Sequence, residues 1–237
     1  MTLKRSAKRL IGRLLPIDLA EKLTEYSLDR QASPVRLDEA VDLTPAGRGW
    51  DAVVLRGREA VWSRALADAG VGDALVLEFG VWQGDSIRRL AQLLPSPGSL
   101  FYGFDSFEGL PEGWRGMAAG HFSTGGEPPA LDDPRVRFVK GWFRDSLPPM
   151  MDEIARAAEG RAVVVHFDAD LYSSTLYLLF TLTERLKRFL FFFDEFAGHE
   201  ARALYNFLQA TGAEARFSYR CDWEGFPTTV AGHLTRP

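Results

Sequence analysis

Acids close four apolar runs of this 237-residue chain. Ala74-Leu75-Val76-Leu77 leads to Glu78, and Leu100-Phe101-Tyr102-Gly103-Phe104 ends on Asp105. Ala162-Val163-Val164-Val165-His166-Phe167 ends in Asp168-Ala169-Asp170, and Phe189-Leu190-Phe191-Phe192-Phe193 ends in Asp194-Glu195. If these runs are parallel strands, their carboxyl ends share one edge of a sheet and the acids converge on one crevice. Grouped carboxylates repel one another unless a cation offsets them. A hard divalent ion such as Mg²⁺ would do so, held by one or two carboxylates with waters and substrate oxygens. Asp168 and Asp194 are the foremost candidates for metal or substrate contact. Asp170 and Glu195 are equally suited to capping the helices that follow them.

The first run continues through Glu78-Phe79-Gly80-Val81-Trp82-Gln83-Gly84 into a helix at Asp85-Ser86-Ile87. Strand, glycine turn, helix, strand and acid form a βαβ unit, in which a ligand sits at the strand ends beside free helix N–H groups. Gly80 and Gly84 carry no Cβ, so the backbone can approach that ligand closely. Asp105, at the tip of the next strand, is placed to accept hydrogen bonds from ribose hydroxyls. The turn is not G-x-G-x-x-G, because Trp82 stands at the middle glycine, where a pyrophosphate needs close approach. That favours a nucleoside ligand without a diphosphate. Glu78 would repel a phosphate and could bind a cationic group instead.

The elements that must position these residues alternate between strands and helices, which implies an α/β sheet covered on both faces. Helices are expected around Ala60–Leu66, from Asp85, over 145–158, over Tyr172–Lys187 and over Gly198–Ala210. A third strand is expected over Arg135–Val139. The last two strands, Ala215–Tyr219 and Thr228–Leu234, are expected to pair antiparallel. The segment from Phe107 to Pro134, rich in glycine and proline, is long for a loop in a compact domain, and such loops are commonly lids or binding loops. Here it would cover the cofactor face.

The composition is ordinary for a globular protein, and no apolar run reaches the roughly 18 residues of a membrane span. The N-terminus lacks the apolar core of a secretory signal, so a cytoplasmic protein is the simplest reading. Cys221, the single cysteine, excludes an internal disulfide and a cysteine-cluster metal site. Five basic residues and no acid precede Asp18, so the rest of the chain carries about −9 of a net charge of −4, which argues against nucleic acid as a partner. Leu3, Ala7, Leu10, Ile11, Leu14 and Leu15 follow helical spacing among those basic residues. This arm suits subunit packing in a homo-oligomer, and it could also contact an anionic membrane surface peripherally. A second short helix is expected from Asp18 to Tyr26, and residues 29–48 read as irregular. The division expected is a helical extension over 1–70 and a main domain over 71–237, with the lid at about 107–134.

Five segments carry a resemblance. They are Glu78-Phe79-Gly80-Val81-Trp82-Gln83-Gly84-Asp85-Ser86, Phe104-Asp105-Ser106-Phe107-Glu108-Gly109-Leu110-Pro111, Lys140-Gly141-Trp142-Phe143, His166-Phe167-Asp168-Ala169-Asp170-Leu171-Tyr172-Ser173-Ser174-Thr175, and Phe193-Asp194-Glu195-Phe196. In order and number they resemble class I S-adenosylmethionine-dependent methyltransferases, most closely the macrocin O-methyltransferase (TylF-like) family. The resemblance implies a Rossmann-like, seven-stranded mixed sheet with an antiparallel last strand. It implies S-adenosylmethionine in the crevice, with Glu78 and Gly80 at the methionine part, flanked by Phe79 and Val81. The Gly84–Ser86 backbone would lie nearby, Asp105 with Ser106 at the ribose, and Gly141, Trp142 and Phe143 along the adenine. It implies a divalent metal at Asp168, Asp194 and Glu195, although the macrolide-sugar enzymes typically carry Asp-Asp where this chain has Asp194-Glu195.

The activity implied is O-methyl transfer to a sugar hydroxyl of a small-molecule natural product or glycan. A metal held by Asp168 and Asp194 would orient adjacent hydroxyls and lower the pKa of the attacking one. Asp168, which also borders the cofactor, or His121 in the lid would accept the proton. His121 reads equally well as a solvated loop histidine. Rings such as Trp114, Phe122, Trp142 and Phe143 could stack on adenine or sugar faces, or simply pack. Two rivals are an NAD(P) oxidoreductase, disfavoured by the missing glycine, and a non-catalytic member of the fold, kept open by Glu195.

Overall fold

A computed structural model describes residues 52–114, 116–223 and 226–237. The arm and short helix expected before residue 27 and the irregular stretch 29–48 lie outside the described residues. The elements are β1 (Val53–Val54), α1 (Arg58–Asp68), β2 (Ala74–Phe79), α2 (Asp85–Leu93), β3 (Leu100–Asp105), β4 (Val136–Lys140), α3 (Phe143–Ser146), α4 (Met151–Ala158), β5 (Ala162–Phe167), α5 (Tyr172–Thr183), β6 (Arg188–Phe193), α6 (Ala201–Thr211), β7 (Glu214–Trp223) and β8 (Phe226–Thr235).

The described strands form one sheet in the order β1-β7-β8-β6-β5-β2-β3-β4. Every pairing is parallel except those of β8, which runs antiparallel to β6 and to β7. The expected antiparallel closing pair is therefore present. The expected count of seven is corrected to eight, because Val53 and Val54 add an edge strand beside Tyr219 and Arg220. Two residues are too few for a period of two to show in a sequence. The helix expected over 145–158 is also corrected. Pro148 and Pro149 lack the N–H groups a continuous helix needs, and the chain passes through a 3₁₀ turn at Pro148–Met150 between α3 and α4.

β2 is buried at all six positions, as a central parallel strand covered on both faces must be. Its alternation divides the core. Leu75, Leu77 and Phe79 join Phe167, Phe193, Ile154, Leu178 and Leu204 on one face. Ala74 and Val76 join Phe192, Trp62, Ile87 and Leu90 on the other. α2 reaches that second face with Ile87, Leu90 and Ala91, spaced by three and four residues, and carries Asp85 where the helix dipole favours an acid. α1 buries Val61, Trp62, Ala65 and Leu66 there as well. Among the described residues, no helix is long and apolar enough to cross a membrane.

Candidate active site

A cleft of about 880 Å³ opens at the carboxyl ends of the parallel strands. Strand register explains which side chains meet there. Glu78 pairs with His166 across β2 and β5, and His166 pairs with Phe192 across β5 and β6. Counting by twos places Glu78, His166 and Asp194 on the α1 face of the sheet, with Asp168 just past the end of β5.

The wall around Gly80 and Asp105 is built on backbone. Gly80 has φ +92°, and a Cβ there would lie 1.9 Å from the carbonyl oxygen of Asp168. Only glycine fits, for both conformation and space. The Asp105 carboxylate is held by three main-chain donors. Val81 and Trp82 N–H donate to Oδ2 at 2.8 and 2.9 Å, and Phe107 N–H donates to Oδ1 at 2.8 Å. A carboxylate offers about four acceptor directions, so roughly one remains for a ligand. The Ser106 hydroxyl accepts from Glu108 N–H and faces the cleft. Gly141 N–H donates to the Asp105 carbonyl at 2.9 Å, which ties the β4 turn, and with it Trp142 and Phe143, to the same wall.

The acid side is built on side chains. Glu78 is fully buried, behind the wall rather than in it. It accepts from the Ser86 hydroxyl at 2.9 Å and lies 3.1 Å from Nδ1 of His166, itself fully buried. Burial pushes the His166 imidazole down, but the Glu78 hydrogen bond and the charges of Glu78, Asp194 and Asp168 outweigh it and lift the group to about 9. Asp168 reaches the cleft, yet the surrounding protein desolvates it and Asp194 repels its charge, so its carboxyl is held well above the usual range. Asp194 accepts from Arg58 Nη1 at 2.7 Å and from the Thr229 hydroxyl at 3.0 Å. Behind them Glu200 is fully buried at the end of a π-helical turn, Phe196–Glu200, and its carboxylate accepts from Glu195 N–H. Burial first, then Asp168 and its neighbours, raise Glu200 strongly. Acids outnumber cations in this corner. His166, Asp168 and Asp194 each offer one ligand atom within 4.8 Å of the others, and Glu195 stands in the adjacent wall. The carboxylates of Asp168, Asp194 and Glu195 and their surplus of negative charge fit a divalent cation, whereas His166, held protonated by Glu78, has no lone pair to offer one.

Of the residues singled out in the sequence, Gly80, Val81, Ser86, Asp105, Ser106, Trp142, Phe143, Asp168, Asp194 and Glu195 line the cleft. Phe79 and Gly84 support it from behind. Phe79 stacks on Phe104 at 5.0 Å, and Gly84 opens α2 in a left-handed conformation under Pro129 of the segment 107–134. His121 is exposed and stacks edge-on against Phe122. The Phe122 ring reaches the wall and the His121 ring does not. Within the segment 107–134, Thr124 and Gly126 N–H donate to the Phe107 carbonyl and draw its limbs together, and Leu110 and Trp114, which line the cleft, pack on Leu171. Sequence reasoning missed Arg58, the part played by His166, and Glu200. No spacing rule links residue 58 to residue 194. An even-numbered histidine two places before Asp168 was the one readable signal, since it must share the acid's face of the strand.

A curated relative from Streptomyces olivaceus, 8-demethyl-8-(2,3-dimethoxy-alpha-L-rhamnosyl)-tetracenomycin-C 4'-O-methyltransferase, is 30% identical over 209 residues, covering 74% of this chain and 76% of that protein. Residues 127–226 match the family described as Macrocin-O-methyltransferase (TylF). The chain belongs to the TylF macrocin O-methyltransferase family. It is thus an S-adenosylmethionine-dependent O-methyltransferase, and the oxidoreductase alternative falls away. The solved structure of the O-methyltransferase NovP shares the fold, with a TM-score of 0.51 at 20% identity over 75% of this chain and 77% of that one. Membership of the TylF family fits the mixed sheet with its antiparallel β8.

Proposed function

We propose that this O-methyltransferase acts on a sugar hydroxyl of a glycosylated natural product or glycan, with S-adenosylmethionine held along Gly80–Ser86, Asp105, Ser106 and Trp142–Phe143. The observation that carries the reading is the meeting of two unlike walls in one cleft. A backbone-lined wall lies beside Asp105, and a charge-rich wall lies at Asp168 and Asp194. The relative named for a rhamnosyl 4'-O-methyl transfer supports the sugar acceptor. So do the Trp82, Trp114 and Phe122 rings at the cleft, since flat rings suit the apolar faces of sugars.

In this reading the cofactor's sulfonium makes its methyl group electrophilic. Gly80 and the Asp105-capped loop fix the donor, and the acid side brings an acceptor oxygen in line behind the methyl. Asp168, the acid that reaches the cleft from the end of β5, takes the proton from that oxygen. Asp168, Asp194 and Glu195 would hold Mg²⁺, which would supply Lewis-acid stabilisation of the developing alkoxide. Glu78 serves from behind, by holding Ser86 and His166. His121 would act only if lid closure carried it inward, so Asp168 is the assigned base. The catalytic domain is read to include β1 and α1 as well as residues 71–237, since β1 pairs with β7 and α1 packs in the core, and a cytoplasmic homo-oligomer is the assembly whose mass light scattering would measure.

The test is calorimetry with S-adenosylmethionine and NADH, followed by methyl transfer to a panel of deoxysugar-bearing acceptors with Mg²⁺ or chelator. S-adenosylmethionine should bind without metal, NADH should not bind, and turnover should need the metal. Transfer to non-sugar phenols alone would overturn the acceptor assignment. Full turnover in chelator would overturn the metal.

A further inference from the structure

Arg58 enters the acid cluster from α1, more than a hundred residues before Asp168 and Asp194. Its Nη1 donates to Asp194 Oδ2 at 2.7 Å. Its guanidinium carbon lies 5.2 Å from the ring centroid of Trp62, a fully buried indole, so the head group rests on that ring while it holds Asp194. Yet the side chain is 46% exposed and lines the cleft. Asp194, Asp168 and Glu78 all add to its hold on the proton. Arginine stays charged at any pH a protein tolerates, so this cation cannot step aside by deprotonation. It can only move, and its exposed side gives it somewhere to go.

The position matters because Asp194 is a ligand in the proposed metal site, on which this inference rests. The other Asp194 oxygen accepts from Thr229, so the oxygen held by Arg58 is the less encumbered by structure within the sheet. A dication arriving there would face a fixed positive charge within contact distance. Either the arginine leaves or the metal does not bind.

We propose that Arg58 is a tethered cation that competes with a divalent metal for Asp194, so that α1 sets the metal affinity of the acid cluster. Without metal, Arg58 supplies the countercharge that keeps a nearly buried carboxylate from being left unpaired. With metal bound, like-charge repulsion turns Arg58 toward the cleft it already lines. Its planar fork of donors then becomes available there.

The experiment titrates Mn²⁺ into the full-length protein and reads free Mn²⁺ by electron paramagnetic resonance, independently of turnover. Wild type is compared with Arg58→Met, Arg58→Gln and Asp168→Asn. Removing the competing charge should tighten Mn²⁺ binding by about tenfold or more, the scale of one charge-assisted hydrogen bond given up. Asp168→Asn should abolish it. Unchanged or weaker binding in the Arg58 variants, with Asp168→Asn still abolishing it, would overturn the competition and leave the metal site standing. No Mn²⁺ binding in wild type or in either Arg58 variant would remove both. Arg58→Gln keeps a long polar stem without the charge and decides the matter if the Met variant does not fold.

Discussion

Asp105 and Asp194 end parallel strands of the same sheet, yet their carboxylates are satisfied in opposite ways. Three main-chain N–H groups hold Asp105, and none of them can leave without remaking the loop. Asp194 is held by two side chains, Arg58 and Thr229, that can rotate away. A carboxylate capped by backbone is a fixture. One capped by side chains is exchangeable, and its partners can be replaced by a ligand. The first arrangement suits a cofactor shared across a family, and the second suits chemistry that must release and reset.

The largest test of that division is Asp168→Asn. Turnover should fall by about a hundred- to ten-thousandfold, as expected for loss of a general base, while calorimetric affinity for S-adenosylmethionine stays within about threefold. Equal losses in both would mean that the two walls are not separable. Next, Gly80→Ala forces a side chain into a left-handed conformation against the Asp168 carbonyl. It should cost on the order of 3 kcal/mol in urea unfolding, because both strain and backbone displacement contribute. A neutral result would show that the loop moves freely.

His166 gives the pH test. Its folded value, about 9, lies above its ordinary 6.5. The imidazolium's contribution is therefore complete below about pH 6.5 and fades as pH rises through 9, on the order of 3 kcal/mol in all. The raised Asp168 and Glu200 carboxyls act with the same sign, since each also binds its proton more tightly when folded. Denaturant midpoints should decline from pH 6.5 to 9 in wild type and more shallowly in His166→Gln. Matching slopes would argue that the Glu78–His166 pair is uncharged. Thr229→Val, the smallest change, removes one hydrogen bond to Asp194 and should cost about 1 kcal/mol.

The wall around Gly80 and Asp105 was the legible one. Its glycines, its capping acid and its order along the chain are local signals, and Gly80 and Asp105 lie where the strand-turn-helix pattern puts them. The acid wall was legible only in part. Asp168 and Asp194 announce themselves as strand ends, but their partners come from elsewhere. Arg58 arrives from a helix over a hundred residues earlier, and Glu200 from a π-helical turn that no periodicity signals. The edge strand β1 escaped for a related reason, because its two residues take their meaning from β7, at the far end of the chain.

Gly80 has a wider consequence. Because nothing but hydrogen separates its Cα from the Asp168 carbonyl, the Gly80 turn and the strand end that carries the Asp168 carboxylate share a single thickness of backbone. A shift of the turn on one side is a shift of the carboxylate on the other. In the proposed reaction, accommodation of new acceptors on this scaffold is thereby pushed outward, to the segment 107–134, where a side chain can change without disturbing the distance over which the methyl group must travel.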